Sequence, residues 1–271
     1  MDTEFSWGDY IDLSKVNKEQ YLFKNDMNLP DEIPDVIKQD MEIFREVDKL
    51  VLDNKENTEF IKQLERFRNF KPGFLVNKKI IYTDTNVFKR FPILKYSSLA
   101  RTDNTMMENR FLLPIRLPNG NIYTYMGYST GTINRYIMPK VKDVPMYNYS
   151  NQSSLFGNME SIKKDEIDVY FAEGFFDVYR IESELNKPAV AMLGSKLTRN
   201  KERMLRTLKE KEKKRFIYVP DFDENKAGFD EHLLTSDLWD EMYNFNKQPE
   251  NTSGEEYKDI DQYYRMTRKY Y

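Results

Sequence analysis

Acidic residues stand where two apolar runs of this chain end. In "IDVYFAEGFFDVYRIE" a strand-like run stops at Glu173-Gly174, and 48 residues later "KRFIYVPDFDENKAG" stops at Asp221-Phe222-Asp223. Carboxylates delivered together at strand tips offer hard oxygen ligands. Mg²⁺ takes one or two of these while keeping waters and substrate phosphate oxygens. Such acids repel one another, and a divalent cation relieves the repulsion. Singly, each acidic tip reads equally well as an ordinary polar loop; paired in one α/β unit, they point to metal-assisted phosphate chemistry. The chain has no cysteine and one histidine, His232. That removes thiol catalysis, disulfides and zinc fingers, and it argues against a Ser-His-Asp triad or a multi-histidine metal site. Any metal is therefore a carboxylate-held one, Mg²⁺ or Mn²⁺, and not zinc. His232 itself reads as structural.

The elements that must position these acids begin at residue 167. Strands are expected at 167–172, 188–193 and 215–220, with helices over about Phe176–Leu185, 199–212 and Gly228–Asn244. Apolar strands separated by helices predict right-handed crossovers and a parallel sheet. Ligands of such sheets sit beyond the C-terminal strand ends, where Glu173, Gly194, Asp221 and Asp223 fall. Gly174 and Gly194 allow backbone to approach a phosphate closely, and Lys196 lies on the same rim. Its plain alternative is a solvated loop lysine.

Upstream, Ile37, Met41, Phe44, Val47, Leu50 and Val51 recur at helical spacing from Asp35 to about Leu52. Thr58 is placed to N-cap a second helix with Phe60, Ile61, Leu64 and Phe67 inward, stopped by Lys71-Pro72-Gly73. From 74 to 140 the period shifts toward two. "FLVNKKIIYTD", "NRFLLPIRL" and "NIYTYMGYS" read as strands, with a hairpin turn at Pro118-Asn119-Gly120-Asn121. Residues 143–165 read as a connector. Residues 1–34 are polar, are broken by Pro30 and Pro34, and carry Trp7, Tyr10, Tyr21 and Phe23 for docking on a neighbour. The division that follows is an acidic, mainly helical region (1–70), a basic α+β subdomain (71–160) and an α/β domain (161–271).

With 271 residues, 32% of them charged and 14% aromatic, the chain has the make-up of a soluble globular protein. No run reaches the length of a membrane span, and "MDTEFSWGDY" is no signal peptide, so a cytoplasmic protein without a membrane partner is expected. Charge is segregated. Residues 1–60 hold 7 Lys/Arg and 16 Asp/Glu, whereas residues 61–142 hold 15 Lys/Arg and 4 Asp/Glu. A basic middle beside an acidic C-terminal third suits an enzyme that grips a polyanion with one part and holds metal with another. Tyr123, Tyr125, Tyr128 and Tyr136 either stack on single-stranded bases or cover a sheet face. Lys78, Lys79, Lys89 and Arg90 read as a generic solvated patch.

"FAEGFFDVYRIE", "AVAMLGSKLT" and "YVPDFDENKAGFD" together resemble, in order and spacing, the signature segments of the toprim domain of DnaG-type primases, topoisomerases and certain nucleases. "NRFLLPI…GNIYTYMGY" and "PMYNYSNQSSLFG" are similar to segments upstream of toprim in DnaG-type primases. The resemblance covers about residues 105–262. It implies a toprim fold, a parallel sheet flanked by helices, preceded by the basic α+β subdomain and a helical N-terminal region. It implies catalytic and metal-binding roles for Glu173, Asp221 and Asp223, and a secondary metal-binding role for Asp177. "EYKDIDQYY" looks like the third acidic motif, giving Asp259 and Asp261 to a second metal. The family expects a fourth strand before it. Either that strand is short here, or these acids lie on an exposed tail. Arg110 matches the family's strand-opening arginine, and Arg116, Arg135 and Lys140 follow on the same hairpin and its exit as candidates for nucleotide and template phosphates.

The implied activity is that of a primase: Mg²⁺-dependent synthesis of short RNA primers from ribonucleoside triphosphates on a single-stranded DNA template. A Mg²⁺-dependent toprim nuclease and a non-catalytic toprim subunit of a replication complex are the alternatives. Without cysteines there is no zinc-binding domain of the usual kind, and the helical, helicase-binding region that follows toprim in the family is missing. A replicative helicase or a zinc-bearing partner acting in trans is therefore expected. The trimmed, Asn/Lys/Tyr-rich layout resembles a phage protein, which would work in the cytoplasm of a bacterial host.

Overall fold

A computed structural model of the chain describes residues 35–101, 107–131, 135–138, 156–194, 197–222, 237–247 and 255–271. Helix α1 spans Asp35–Leu50 and α2 spans Lys55–Arg68. In α1 the inward positions are Ile43, Phe44 and Val47, while Leu50 is exposed. Helix α2 starts one residue after Asn54, not at Thr58. The Asn54 side chain accepts from the Asn57 amide at 2.9 Å, and the Thr58 hydroxyl turns back to the Asn54 carbonyl at 3.0 Å. Asn caps at least as well as Thr, and the earlier start aims the Asn57 side-chain amide at the backbone of residues 80–82. There it donates to the Ile80 carbonyl and accepts from the Tyr82 amide, each at 2.9 Å. Ile61 and Leu64 are buried as expected, but Phe67 lies outside. The helix ends on Asn69 in the left-handed region (φ 54°), a stop signal that precedes the Lys-Pro-Gly run.

The run 74–84 is not one strand. Phe74–Asn77 forms a single helical turn, and strand β1 covers only Ile81–Thr83. The buried Glu65 carboxylate explains the difference, because it accepts from the amides of Gly73 (3.0 Å), Leu75 (2.6 Å) and Val76 (3.2 Å). Those amides are the orphan donors of a helix start, so a partner ten residues away overrides the local pattern. Strands β2 (Arg110–Arg116) and β3 (Ile122–Tyr128) pair antiparallel with a bulge at Ile115/Arg116, and β4 (Tyr136–Ile137) completes a sheet of order β1-β2-β3-β4. The expected turn joins β2 and β3, with Gly120 at φ 83°. One face of this sheet meets α1 through Phe44, Val47, Leu112 and Tyr125. On the other face, Leu113, Ile115, Met126 and Tyr128 join the core that holds α2.

The second sheet is parallel, in the order β6-β5-β7-β8: β5 Asp168–Ala172, β6 Ala189–Ala191, β7 Arg215–Tyr218 and β8 Glu241–Met242. Helix α3 (Phe175–Arg180, continuing as a π turn over Ile181–Leu185) covers one face, and α4 (Arg199–Glu212), capped by Thr198, covers the other. Successive strand residues alternate between the two cores. Val169, Phe171, Val190 and Met192 face α4, whereas Ala172, Ala189 and Ala191 face α3. Residues 237–244, expected at the end of a helix, instead form a turn and β8. The remainder of that expected helix, His232 included, lies outside the described residues. Helix α5 (Ile260–Thr267) closes the chain against α3. Among the described residues, no helix is long and apolar enough to cross a membrane.

Candidate active site

Strand order places the acids. In β6-β5-β7-β8 the chain steps from the central β5 to one side and then crosses to the other, so the topological switch point lies between β5 and β7. A crevice forms beyond the strand ends at such a point, and Glu173 follows β5 while Asp221 lies beyond β7. The backbone ties these tips together. The Leu193 amide donates to the Glu173 carbonyl at 2.9 Å, and the Phe222 amide donates to the Lys258 carbonyl at 2.6 Å. The second bond sets the Asp221 loop beside the segment carrying Asp259.

Asp177, on the first turn of α3, is buried at the centre of this group. Burial pushes its carboxyl well above the ordinary range, and the charges of Asp221, Asp259 and Asp261 push it further. Asp259 caps α5, with Oδ1 accepting from the Gln262 amide at 2.6 Å, and its carboxyl is also raised, chiefly by burial. A Cβ at Gly174 would lie 2.9 Å from Asp177 Oδ2, so a larger residue there would displace that carboxylate. At the tip of β6, Leu193 and Gly194 both have positive φ (53° and 132°), which makes the turn a tight one. Asp261 is not on an exposed tail. It is 3% exposed, its amide donates to Asp177 Oδ1 at 3.4 Å, and its carboxylate accepts from Arg68 and Arg180. The fourth strand is thus short, and it sits earlier in the chain than the motif suggested. Asp223, Lys196 and Lys140 lie outside the described residues. Among the described residues, no three His, Cys, Asp or Glu side chains come together closely enough to hold a metal ion.

The basic candidates divide between two ends of β2. Arg110 opens the strand; its stem crosses Gly127, where a Cβ would come within 3.0 Å of Arg110 Cδ, and its Nη1 lies 3.4 Å from the Arg135 carbonyl. Burial lowers its affinity for a proton. Arg135 is exposed beside β4. Arg116 sits six residues along, roughly 20 Å away at strand rise, donating to Asp48 at 2.6 Å and to the Gly120 carbonyl at 3.0 Å. It stands in an ion pair that locks the hairpin to α1, away from the acids. Of the four cations read as a solvated patch, Lys89 is exposed as expected, but Lys78 pairs with Glu182, Lys79 with Asp48 at 2.9 Å, and Arg90 with Asp84 at 2.8 Å. Tyr125 and Tyr128 are core residues, which leaves Tyr123, half-buried, and Tyr136, exposed, at the surface of the sheet.

Three residues that periodicity does not single out stand at the site. Arg68 and Arg180 hold Asp261, and Lys201, 2% exposed, donates to the Met192 carbonyl behind the β6 tip. Each looks in sequence like one more cation on a charged helix. The only local hint is that Arg68 and Arg180 stand at helical spacing from apolar residues.

No family model and no curated protein matches the sequence. Solved structures do. The DnaG primase catalytic domain bound to single-stranded DNA is similar with a TM-score of 0.59 at 16% identity, over 86% of this chain and 76% of that one. The E. coli primase catalytic core gives 0.55 at 16% identity, over 83% and 75%. The Aquifex aeolicus primase, comprising zinc-binding and RNA polymerase domains, gives 0.56 at 20% identity, over 94% and 60%. The chain therefore has the α/β fold of the DnaG catalytic core.

Proposed function

We propose that the chain is a DNA primase, a nucleotidyltransferase that makes short RNA on single-stranded DNA from ribonucleoside triphosphates. The observation that carries this reading is the placement of Glu173 and Asp221 on adjacent strand tips at the switch point, beside Asp177 and Asp259, within a fold shared with DnaG cores. Neighbouring carboxylates, one of them raised by burial and then by its neighbours' charge, suit a divalent cation, and a donor set without cysteine suits Mg²⁺ or Mn²⁺. Glu173, Asp221 and Asp223 would hold that cation, with Asp177 behind them. Bound there, the cation supplies charge neutralisation for a triphosphate and activation of a 3′-hydroxyl for in-line attack. The amides after Gly174, at the start of α3, present backbone donors to phosphate. Arg110 and Arg135, at the end of the first sheet that also carries Tyr128 and Tyr136, contact template or triphosphate. A helicase or a zinc-bearing protein acting in trans belongs to the same proposal.

The test is incubation with single-stranded DNA, Mg²⁺ and labelled ribonucleotides. Short RNA is expected, reduced by about a hundredfold or more in Asp221→Asn and in Glu173→Gln. DNA shortening without RNA would establish a nuclease instead. Neither product, from folded protein, would mark a non-catalytic subunit.

A further inference from the structure

Both oxygens of Asp261 are already engaged. Arg68 Nη2 donates to Oδ2 at 2.5 Å, and Arg180 donates to Oδ1 through Nε at 3.2 Å and Nη2 at 3.1 Å. The three side chains are 10%, 0% and 5% exposed for Arg68, Arg180 and Asp261. Neither guanidinium is at liberty to turn away. Arg68 lies 4.1 Å over the Phe176 ring, and Arg180 lies 3.7 Å over Phe70 while donating to the carbonyls of Arg68 and Asn69. A divalent cation on Asp261 would have to approach two fixed positive charges in a water-poor interior, where Coulomb repulsion is strong. Asp259, two residues earlier, is differently placed. It gives Oδ1 to the Gln262 amide at the start of α5, no guanidinium pairs with it among the described residues, and the Phe222–Lys258 backbone bond of 2.6 Å sets it beside the Asp221 loop.

The clamp reaches further than one ion pair. Asn69, the left-handed cap of α2, donates through Nδ2 to the carbonyls of Arg265 (3.2 Å) and Arg268 (2.6 Å) and accepts from the Tyr270 amide at 3.0 Å. The end of α2 thereby grips both ends of α5: its first turn through Asp261 and its last through Asn69.

We infer that Asp261 is a positioning residue and not a metal ligand: Arg68 and Arg180 seize it to set α5, and only Asp259 of the third acidic motif is presented to the metal-binding acids. The inference rests on the functional reading above. It assigns the helical region before the first sheet a part in building the site.

The experiment uses the full chain and Mn²⁺ alone as probe, counting bound ions by electron paramagnetic resonance alongside unfolding temperature. Asp259→Asn is expected to weaken Mn²⁺ binding by about tenfold or more with unfolding little changed, whereas Asp261→Asn keeps the number of bound ions and lowers the unfolding temperature. Arg68→Lys, which retains the charge but not the fork, should act like Asp261→Asn. The Arg68→Lys/Asp261→Asn double variant should then be no less stable than the worse single one, as partners in one ion pair require. Loss of a bound Mn²⁺ in Asp261→Asn at unchanged unfolding temperature would overturn the assignment. Additive losses in the double variant would overturn the clamp. A wild-type chain that binds no Mn²⁺ would instead refute the metal reading on which the assignment stands.

Discussion

Lys201 carries a pH signature of its own. Its ammonium is sealed behind the β6 tip, against the Met192 carbonyl and 5.6 Å over the Phe156 ring. Burial pushes it down to about 8, with the charge of Glu173 pulling the other way. Because the folded value lies below the ordinary 10.5, the unfolded chain holds this proton over an interval in which the folded one has released it. Folding stability contributed by Lys201 therefore rises as pH climbs from about 8 to about 10.5. Urea unfolding across that range should show wild type gaining on Lys201→Met. A constant difference between the two would mean that the amine is solvated. In sequence, Lys201 is one of several cations in "TRNKERMLR", and nothing local tells it from Arg203 or Arg206. Arg68 and Arg180 carry only the hint of helical spacing from apolar residues, because their partner Asp261 lies far along the chain. Glu173 and Asp221 were legible because their position, at the end of an apolar run, is itself a local feature.

At the scale of elements, strands and helices with a strong period came out where the pattern placed them, among them β2, β3, β5 and α4. The misses share a cause. Helix α2 starts at Lys55, where Asn57 reaches across to Ile80 and Tyr82, the turn at 74–77 forms on Glu65, and β8 replaces a helical end because its edge pairs with β7. In each case a contact distant in sequence outweighs propensity. Gly157 shows how tightly such contacts are drawn. It bridges Ala191 with backbone bonds of 2.8 and 2.9 Å, and a Cβ there would lie 2.5 Å from Phe175 Cζ and 3.1 Å from Ala191 Cβ. Phe175 is fully buried and has no room to swing aside. Gly157→Ala should accordingly cost roughly 1–3 kcal/mol, the usual price of overpacking, read as a lower denaturation midpoint with an unchanged slope.

For the whole molecule, charge segregation along the chain turns out to serve two purposes. Much of the basic middle is spent inside the protein: Arg68 on Asp261, Lys78 on Glu182, and Lys79 and Arg116 on Asp48 of the acidic first helix. These pairs join α1, the first sheet and the second sheet around a core that includes Ile61, Leu113, Tyr128, Phe176 and Tyr263. On the proposed function, DNA binding should depend on salt less steeply than the full set of cations implies. Replacing Arg110 and Arg135 together by Gln should reduce the log–log slope on single-stranded DNA by about 1.4, whereas Lys79→Gln should leave the slope alone and lower stability. An unchanged slope in the double variant would remove those two arginines from the DNA-facing surface. The sequence by itself determined where the strand-end acids fall, the parallel α/β unit and the hairpin before it, because apolar period and strand-end acids are encoded within a few residues. Only the tertiary structure decided which acids gather around Asp177, which one is seized by arginines, and which cations are spent on the fold. Those outcomes depend on residues such as Arg68 and Asp261, 193 positions apart, which meet only once both sheets and α5 have packed.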